Sequence, residues 1–114
     1  MYELSNVSIV IVSFNSEEKL FELFPSIPES CELIIVNNAS NSLPQELKKS
    51  RDFIEIHNSE NKGFGTACNI GVTKASKDFI FLLNPDTLLK DHCLENLLKV
   101  CKDFPNASAF TPKI

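Results

Sequence analysis

The stretch FIFLLNPDTLLKD, Phe79 to Asp91, runs from an apolar segment straight into Asn84-Pro85-Asp86. Pro85 fixes its own φ and pushes Asn84 out of the helical region, so the chain turns there, and Asp86 can cap a helix that follows. A second chemistry is open to the same carboxylate. If the apolar run is a strand, Asp86 stands at the mouth of a sheet and suits a first ligand for Mg2+ or Mn2+. Such ions take one or two protein carboxylates and complete their shells with water and substrate phosphates.

Similar polar clusters follow three other apolar runs: Ser13-Phe14-Asn15, Asn37-Asn38-Ala39-Ser40 and Asn58-Ser59-Glu60-Asn61-Lys62-Gly63. Each alone is turn chemistry. Together, with several amides offering both donor and acceptor, they suit a polar ligand. The first turn lacks Gly-x-Gly-x-x-Gly and the chain lacks Gly-x-x-x-x-Gly-Lys-Ser/Thr, which argues against dinucleotide and P-loop sites. No Gly-x-Ser-x-Gly elbow points to a hydrolase.

The elements that must position these clusters alternate. VSIVIVS (Val7 to Ser13) and ELIIVN (Glu32 to Asn37) read as strands buried on both faces, FIEIHN (Phe53 to Asn58) as a strand nearer the sheet edge, and DFIFLL (Asp78 to Leu83) as a fourth. ASAFTPKI at the end of the chain reads as a fifth. Between them lie a helix opened by Ser16-Glu17-Glu18, with Ser16 as N-cap and Leu20, Phe21, Leu23 and Phe24 on its core face. A short surface helix is expected in Leu43 to Arg51, another helix in Gly63 to Ala75, and an amphipathic helix over Asp91 to Phe104 with Leu94, Leu97, Leu98 and Cys101 inward. Phe79, Phe81, Leu82 and Leu83 are expected in the core. The alternation predicts an α/β fold with a mostly parallel sheet, whose ligands bind outside the carboxyl ends of the strands.

At 114 residues, 43% hydrophobic and 23% charged, the chain suits one small globular domain over residues 1–114. A formal charge of -4 gives no case for nucleic acid, and the Lys48-Lys49 and Arg51 cluster reads as a solvated helix face. No apolar stretch reaches the ~20 residues that span a bilayer, and MYELSNVS lacks the basic region and long apolar segment of a signal peptide. Cys31, Cys68, Cys93 and Cys101 have no zinc-site spacing, so free thiols in a reducing cytoplasm are expected. His57 and His92 read as structural or surface residues. Asn69 and Gly71 suit tight helix-to-sheet packing, and Phe64 suits a loop anchor.

VSIVIVSFNS, IIVNNASN, NSENKGFGTACNIGVTKAS and FIFLLNPDT, in this order and spacing, resemble the N-terminal half of family 2 glycosyltransferases. The likeness is to the rhamnosyltransferase-like branch, where Asn-Pro-Asp stands for Asp-x-Asp, and it covers roughly Val7 to Ile114. It implies a three-layer GT-A fold, truncated after about the fifth strand, that binds a nucleotide-diphosphate sugar with Mg2+ or Mn2+. By resemblance Ser13, Phe14 and Asn15 border the nucleoside, with Phe14 a flat wall for the base. Asn38 falls where the pyrimidine edge is read; Asn61, Lys62 and Gly63 lie along the nucleotide; Asp86 is the metal ligand and Asn84 supports it. Asn37 departs from the family's usual Asp.

The resemblance implies a UDP- or dTDP-sugar donor, a glycan or lipid-linked acceptor and inverting transfer of a hexosyl or rhamnosyl group in polysaccharide or glycan synthesis. The base that deprotonates the acceptor is expected beyond Ile114, and Asp91, Glu95 and Asp103 are not taken for it. The same residues also suit a non-catalytic nucleotide-binding remnant or, less well, an interaction module unrelated to sugars. Apolar surface left open by a half-domain predicts self-association, as a homodimer or an aggregation-prone monomer.

Overall fold

The computed structural model describes residues 1–39 and 41–112. A 3-10 turn, Leu4–Asn6, leads into β1 (Val7–Ser13). There follow α1 (Glu17–Leu23), a 3-10 turn over Phe24–Ser26, β2 (Glu32–Asn37), α2 (Gln45–Ser50) and β3 (Ile54–His57). The chain then forms α3 (Phe64–Lys74), β4 (Phe79–Leu83) and α4 (Cys93–Asp103). The four strands form one sheet in the order β3-β2-β1-β4, every pair parallel. The order reverses at β1: β2 and β3 lie on one side of it and β4 on the other.

Side-chain alternation divides the sheet into two faces. Val7, Ile9, Ile11, Leu33 and Ile35 join Leu20, Leu23, Leu43, Leu47, Leu94 and Leu98 in the larger core, so α1, α2 and α4 cover this face. Val10, Ile34 and Val36 meet Ala67 of α3 on the other. Helices on both faces of a parallel sheet make three layers. Helices before and after a reversal of strand order fall on opposite faces when crossovers keep one hand.

Gly71 sets the approach of α3. A Cβ on it would lie 2.5 Å from Val10 Cγ1 and 3.0 Å from Val36 Cγ2. Asn69, expected to share this packing role, is exposed. At the opposite end of the sheet Glu32 ties three segments together. Its carboxylate accepts from Ser8 Oγ at 2.6 Å, Ser76 N at 2.9 Å and Ser76 Oγ at 2.7 Å. Burial pushes its pKa up, but these bonds and the Lys77 charge together outweigh that and hold it below the ordinary 4.5. A depressed carboxyl contributes stability that is present above the unfolded-state value and lost as pH falls through the folded one. The urea midpoint is therefore expected to fall as pH drops below 4.5, and less steeply in Glu32→Gln. Identical slopes for the two chains would refute this role.

Several expectations are corrected. Residues 107–112 form no strand: the N–H of Ala107 is used in a turn bond to Phe104 O and Pro112 has no N–H to give, while 113 and 114 lie outside the described residues. The sheet therefore has four strands among the described residues. Leu82, expected in the core, is 52% exposed, as is Ile80 at 44%, because α3 packs over β1 and β2 and stops short of edge strand β4. Phe21 points outward on α1 at 42% exposure while Leu20, Leu23 and Phe24 are buried. Ser16 is the N-cap residue, but its hydroxyl donates to Phe14 O and not to the helix. Arg51 is no part of a solvated face: half-buried, it donates to the carbonyls of Ile27, Pro28 and Cys31 and clamps the turn before β2. The β3 strand does lie at an edge.

All four cysteines are free, and burial pushes the Cys31 thiol up to about 11, which disfavours its thiolate near neutral pH. Among the described residues no helix is long and apolar enough to cross a membrane.

Candidate functional site

The strand register aligns the polar ends. Ser13 pairs with Asn37, and Asn37 with His57, so three strands end on one line. On the other flank Leu83 pairs with Ile11, which carries Asn84 and Pro85 out beside the end of β1. The strand order reverses at β1, and in open α/β sheets such a switch point is the usual ligand position.

Ser13 is fully buried, and its Oγ has no hydrogen-bond partner among the described residues. It continues the Val7, Ile9 and Ile11 face and so lies on the α1 side. Its carbonyl accepts from Asn38 N at 2.8 Å, which joins the ends of β1 and β2. Phe14 follows at 51% exposure. Asn15 turns the chain with φ 53°, a left-handed conformation that asparagine tolerates better than most residues.

Beyond β2 a buried amide network takes over. Asn37 is 1% exposed and Asn38 2% exposed. Asn37 Oδ1 accepts from Ala39 N at 3.1 Å, while its Nδ2 donates to Asn41 O at 2.8 Å and Glu55 Oε2 at 3.4 Å. An aspartate here would set a carboxylate against Glu55, so this asparagine fits its local surroundings. Asn38 Oδ1 accepts from Asn58 Nδ2 at 2.7 Å and from Lys62 N at 3.4 Å. Its Nδ2 donates to Asn61 Oδ1 at 3.2 Å and Gly63 O at 3.3 Å. Asn61 Oδ1 also accepts from Gly63 N at 2.8 Å.

Gly63 has φ +86°, which few side-chain-bearing residues adopt, and it opens α3. No side chain caps that helix, and open space surrounds the Cβ positions of Gly63 and Gly65. The backbone here can approach a ligand closely. Lys62 is exposed, and so is Phe64 at 58%, which therefore anchors nothing.

After β4 the turn is closed by Thr87 Oγ1 donating to Asn84 O at 2.6 Å. Asp86 is exposed and, among the described residues, makes no hydrogen bond or ion pair. It caps nothing, because α4 starts at Cys93 behind His92. The expected capping role is thereby corrected, and the carboxylate is left for solvent or a ligand. No group of three or more His, Cys, Asp and Glu among the described residues could enclose a metal by itself. One free carboxylate beside an amide fits a metal whose remaining ligands are water and phosphate.

The structure thus bonds Asn38, Asn61, Lys62 and Gly63 into one unit and joins Ser13 to it through the backbone. Asn84 and Asp86 stand on the far side of β1 from that unit. Asn58 was not among the expected site residues, yet it is 6% exposed and supplies the shortest bond of the network. Its place among the polar strand ends was the available signal. His57 and His92 are structural and surface residues as expected: one ring contacts Ala39 O, the other Glu95.

Solved structures share this architecture. TarS of Staphylococcus aureus superposes with a TM-score of 0.75 at 17% identity, over 88% of this chain and 20% of that one. A mannosyltransferase of Pyrobaculum calidifontis, solved with GDP-Man and Mn2+, gives 0.69 at 15% identity, over 89% of this chain and 32% of its own. The fold is of the GT-A type. Among curated proteins, the poly-β-1,6-N-acetyl-D-glucosamine synthase of Staphylococcus aureus is 27% identical over 117 aligned residues, covering 96% of this chain. The hexosyltransferase Agl10 of Haloferax volcanii, for low-salt glycan biosynthesis, is 26% identical over 115. This chain spans 28% of the former's length and 37% of the latter's. Residues 8–112 match glycosyl transferase family 2, and the chain belongs to that family.

Proposed function

We propose that residues 1–114 are the donor-binding part of an inverting glycosyltransferase, holding a UDP- or dTDP-sugar together with Mg2+ or Mn2+. The observation that carries the reading is Asp86: an exposed carboxylate at the mouth of the sheet, two residues after Asn84, that pairs with nothing and caps nothing among the described residues. Phe14 offers a ring to the base. Ser13 and Asn15 border the nucleoside. Lys62 brings a positive charge to an otherwise acidic chain, and Gly63 lets the backbone close on the nucleotide. Asp86, supported by Asn84, would hold the metal, which when bound stabilises charge on the departing diphosphate. The mannosyltransferase solved with GDP-Man and Mn2+ supports this pairing of ligands by fold.

No residue of this chain is assigned as the base; the acceptor, a glycan or lipid-linked sugar, and the hexosyl or rhamnosyl specificity are read from the resemblance. Polysaccharide synthesis is supported by the bacterial relative of that activity. Calorimetric titration with UDP, dTDP and GDP, with and without Mn2+, tests the donor site. Binding of a pyrimidine diphosphate that requires the metal is expected. No binding of any of the three would leave a remnant that keeps the fold without the function.

The exposed apolar side chains Ile80 and Leu82 on the outermost strand of the sheet, β4, support self-association through that face. Size-exclusion chromatography is expected to show a dimer, weakened in Leu82→Lys. A monomer at high concentration would contradict it.

A further inference from the structure

We infer that Asn38 is a positioning residue: its buried amide builds the loop that presents Lys62 and starts α3, and does not itself read the nucleobase. The inference rests on the donor-site reading above and alters one assignment within it. An amide offers two donors and an acceptor oxygen with two lone pairs. In Asn38 all are engaged internally, by Asn58 Nδ2 and Lys62 N on the oxygen and by Asn61 Oδ1 and Gly63 O on the nitrogen. At 2% exposure it presents almost no surface to a ligand. To read a base it would have to release partners that are themselves held at the sheet edge, and a buried polar group left unpaired is costly.

The four bonds act on one object. They gather β3's end, through Asn58, and three consecutive loop residues around a single side chain. Gly63 is held by two of the network's members, its carbonyl by Asn38 and its N–H by Asn61. Its φ of +86° and the start of α3 are thereby fixed before any ligand arrives. The same Gly63 carbonyl accepts from Ala67 N at 3.1 Å, the first bond of the helix. The side chain that can meet the base is then Phe14, exposed on the turn after β1 and outside this network, while Asn61 and Lys62 lie along the part common to all nucleotides.

Asn38→Asp is the informative change, since it keeps the shape and both acceptor contacts but turns two donations into contacts between oxygens. Amide hydrogen exchange of the unliganded chain is expected to rise at least about tenfold at Gly63 and Ala67, with β1 and β2 amides unchanged. In titrations with UDP, dTDP and GDP, every nucleotide that binds is expected to weaken by the same factor, within about twofold, which preserves their order. Unchanged loop protection would overturn the inference, as would a changed order of nucleotides. Should Asn38→Asp unfold as a whole, Asn61→Ala removes one partner of the same amide from the exposed side. It must then raise exchange at Gly63, and failure to do so overturns the inference equally. The exchange measurement needs no nucleotide. If the native chain binds none, the donor-site reading fails while the role of Asn38 in the loop is still decided.

Discussion

Gly71→Ala is expected to destabilise the chain by about 2 kcal/mol, although alanine is the better helix former. Intrinsic preference alone favours the substitution by roughly 1 kcal/mol in a helix interior. Against it stands a methyl carbon 2.5 Å from Val10 Cγ1 and 3.0 Å from Val36 Cγ2. Both valines are at most 1% exposed, in strands paired on both sides, so neither side chain nor backbone can yield cheaply. Overpacking at such sites costs about 1–3 kcal/mol, and the rigidity of this one places it at the upper end. For a chain of this size each kcal/mol shifts Tm by roughly 4–8 °C, so a fall of about 10 °C is the expected reading. Val10→Ala should recover much of that loss in the double variant, because the two changes share one space. A Gly71→Ala chain as stable as the native one would show that α3 can ride higher on the sheet than its contacts indicate.

Asp86→Ala is expected to act in the opposite way, leaving stability alone and removing function. The side chain is exposed and unpaired among the described residues, and surface changes of this kind usually stay within about 0.5 kcal/mol. Metal-supported nucleotide binding should nevertheless fall at least about a hundredfold. Loss of residues that merely orient metal ligands already costs 10–100-fold, and here no group of three or more His, Cys, Asp and Glu among the described residues could hold the metal instead. Asp86→Asn should behave similarly, because the amide keeps the shape but not the charge. The contrast with Gly71 would separate a residue that packs the fold from one proposed to bind.

The same contrast runs through what could be read from the residues alone. β1 and β2 begin and end as expected, because long β-branched runs between turn residues leave little choice of boundary. The polar strand ends were legible as a set, and the register places them on one edge. Strand order was not legible. Phe79 to Leu83 reads as uniformly buried because its composition is uniformly apolar, yet β4 lies at an edge with Leu82 half exposed. Nor could local sequence reveal partners 20 or more residues away. Arg51 sits in a basic run that looks solvated but clamps carbonyls of the turn before β2. Asn38 matches a position that suggests ligand contact, while its bonds to Asn58 and Asn61 turn it inward. Residue type conveyed the chemistry; tertiary hydrogen bonding decided which side chains remain free to perform it.

Asp86 is exposed and without a partner among the described residues, and calorimetry decides whether it holds a metal. Native chain and Asp86→Ala are titrated with dTDP and UDP, each with and without Mn2+. Binding by the native chain is expected only with Mn2+, and none by the variant, whose unfolding midpoint stays unchanged. Equal binding by the two chains would contradict it, and so would native binding that ignores the metal; Asn84-Pro85-Asp86 would then be a turn and nothing more.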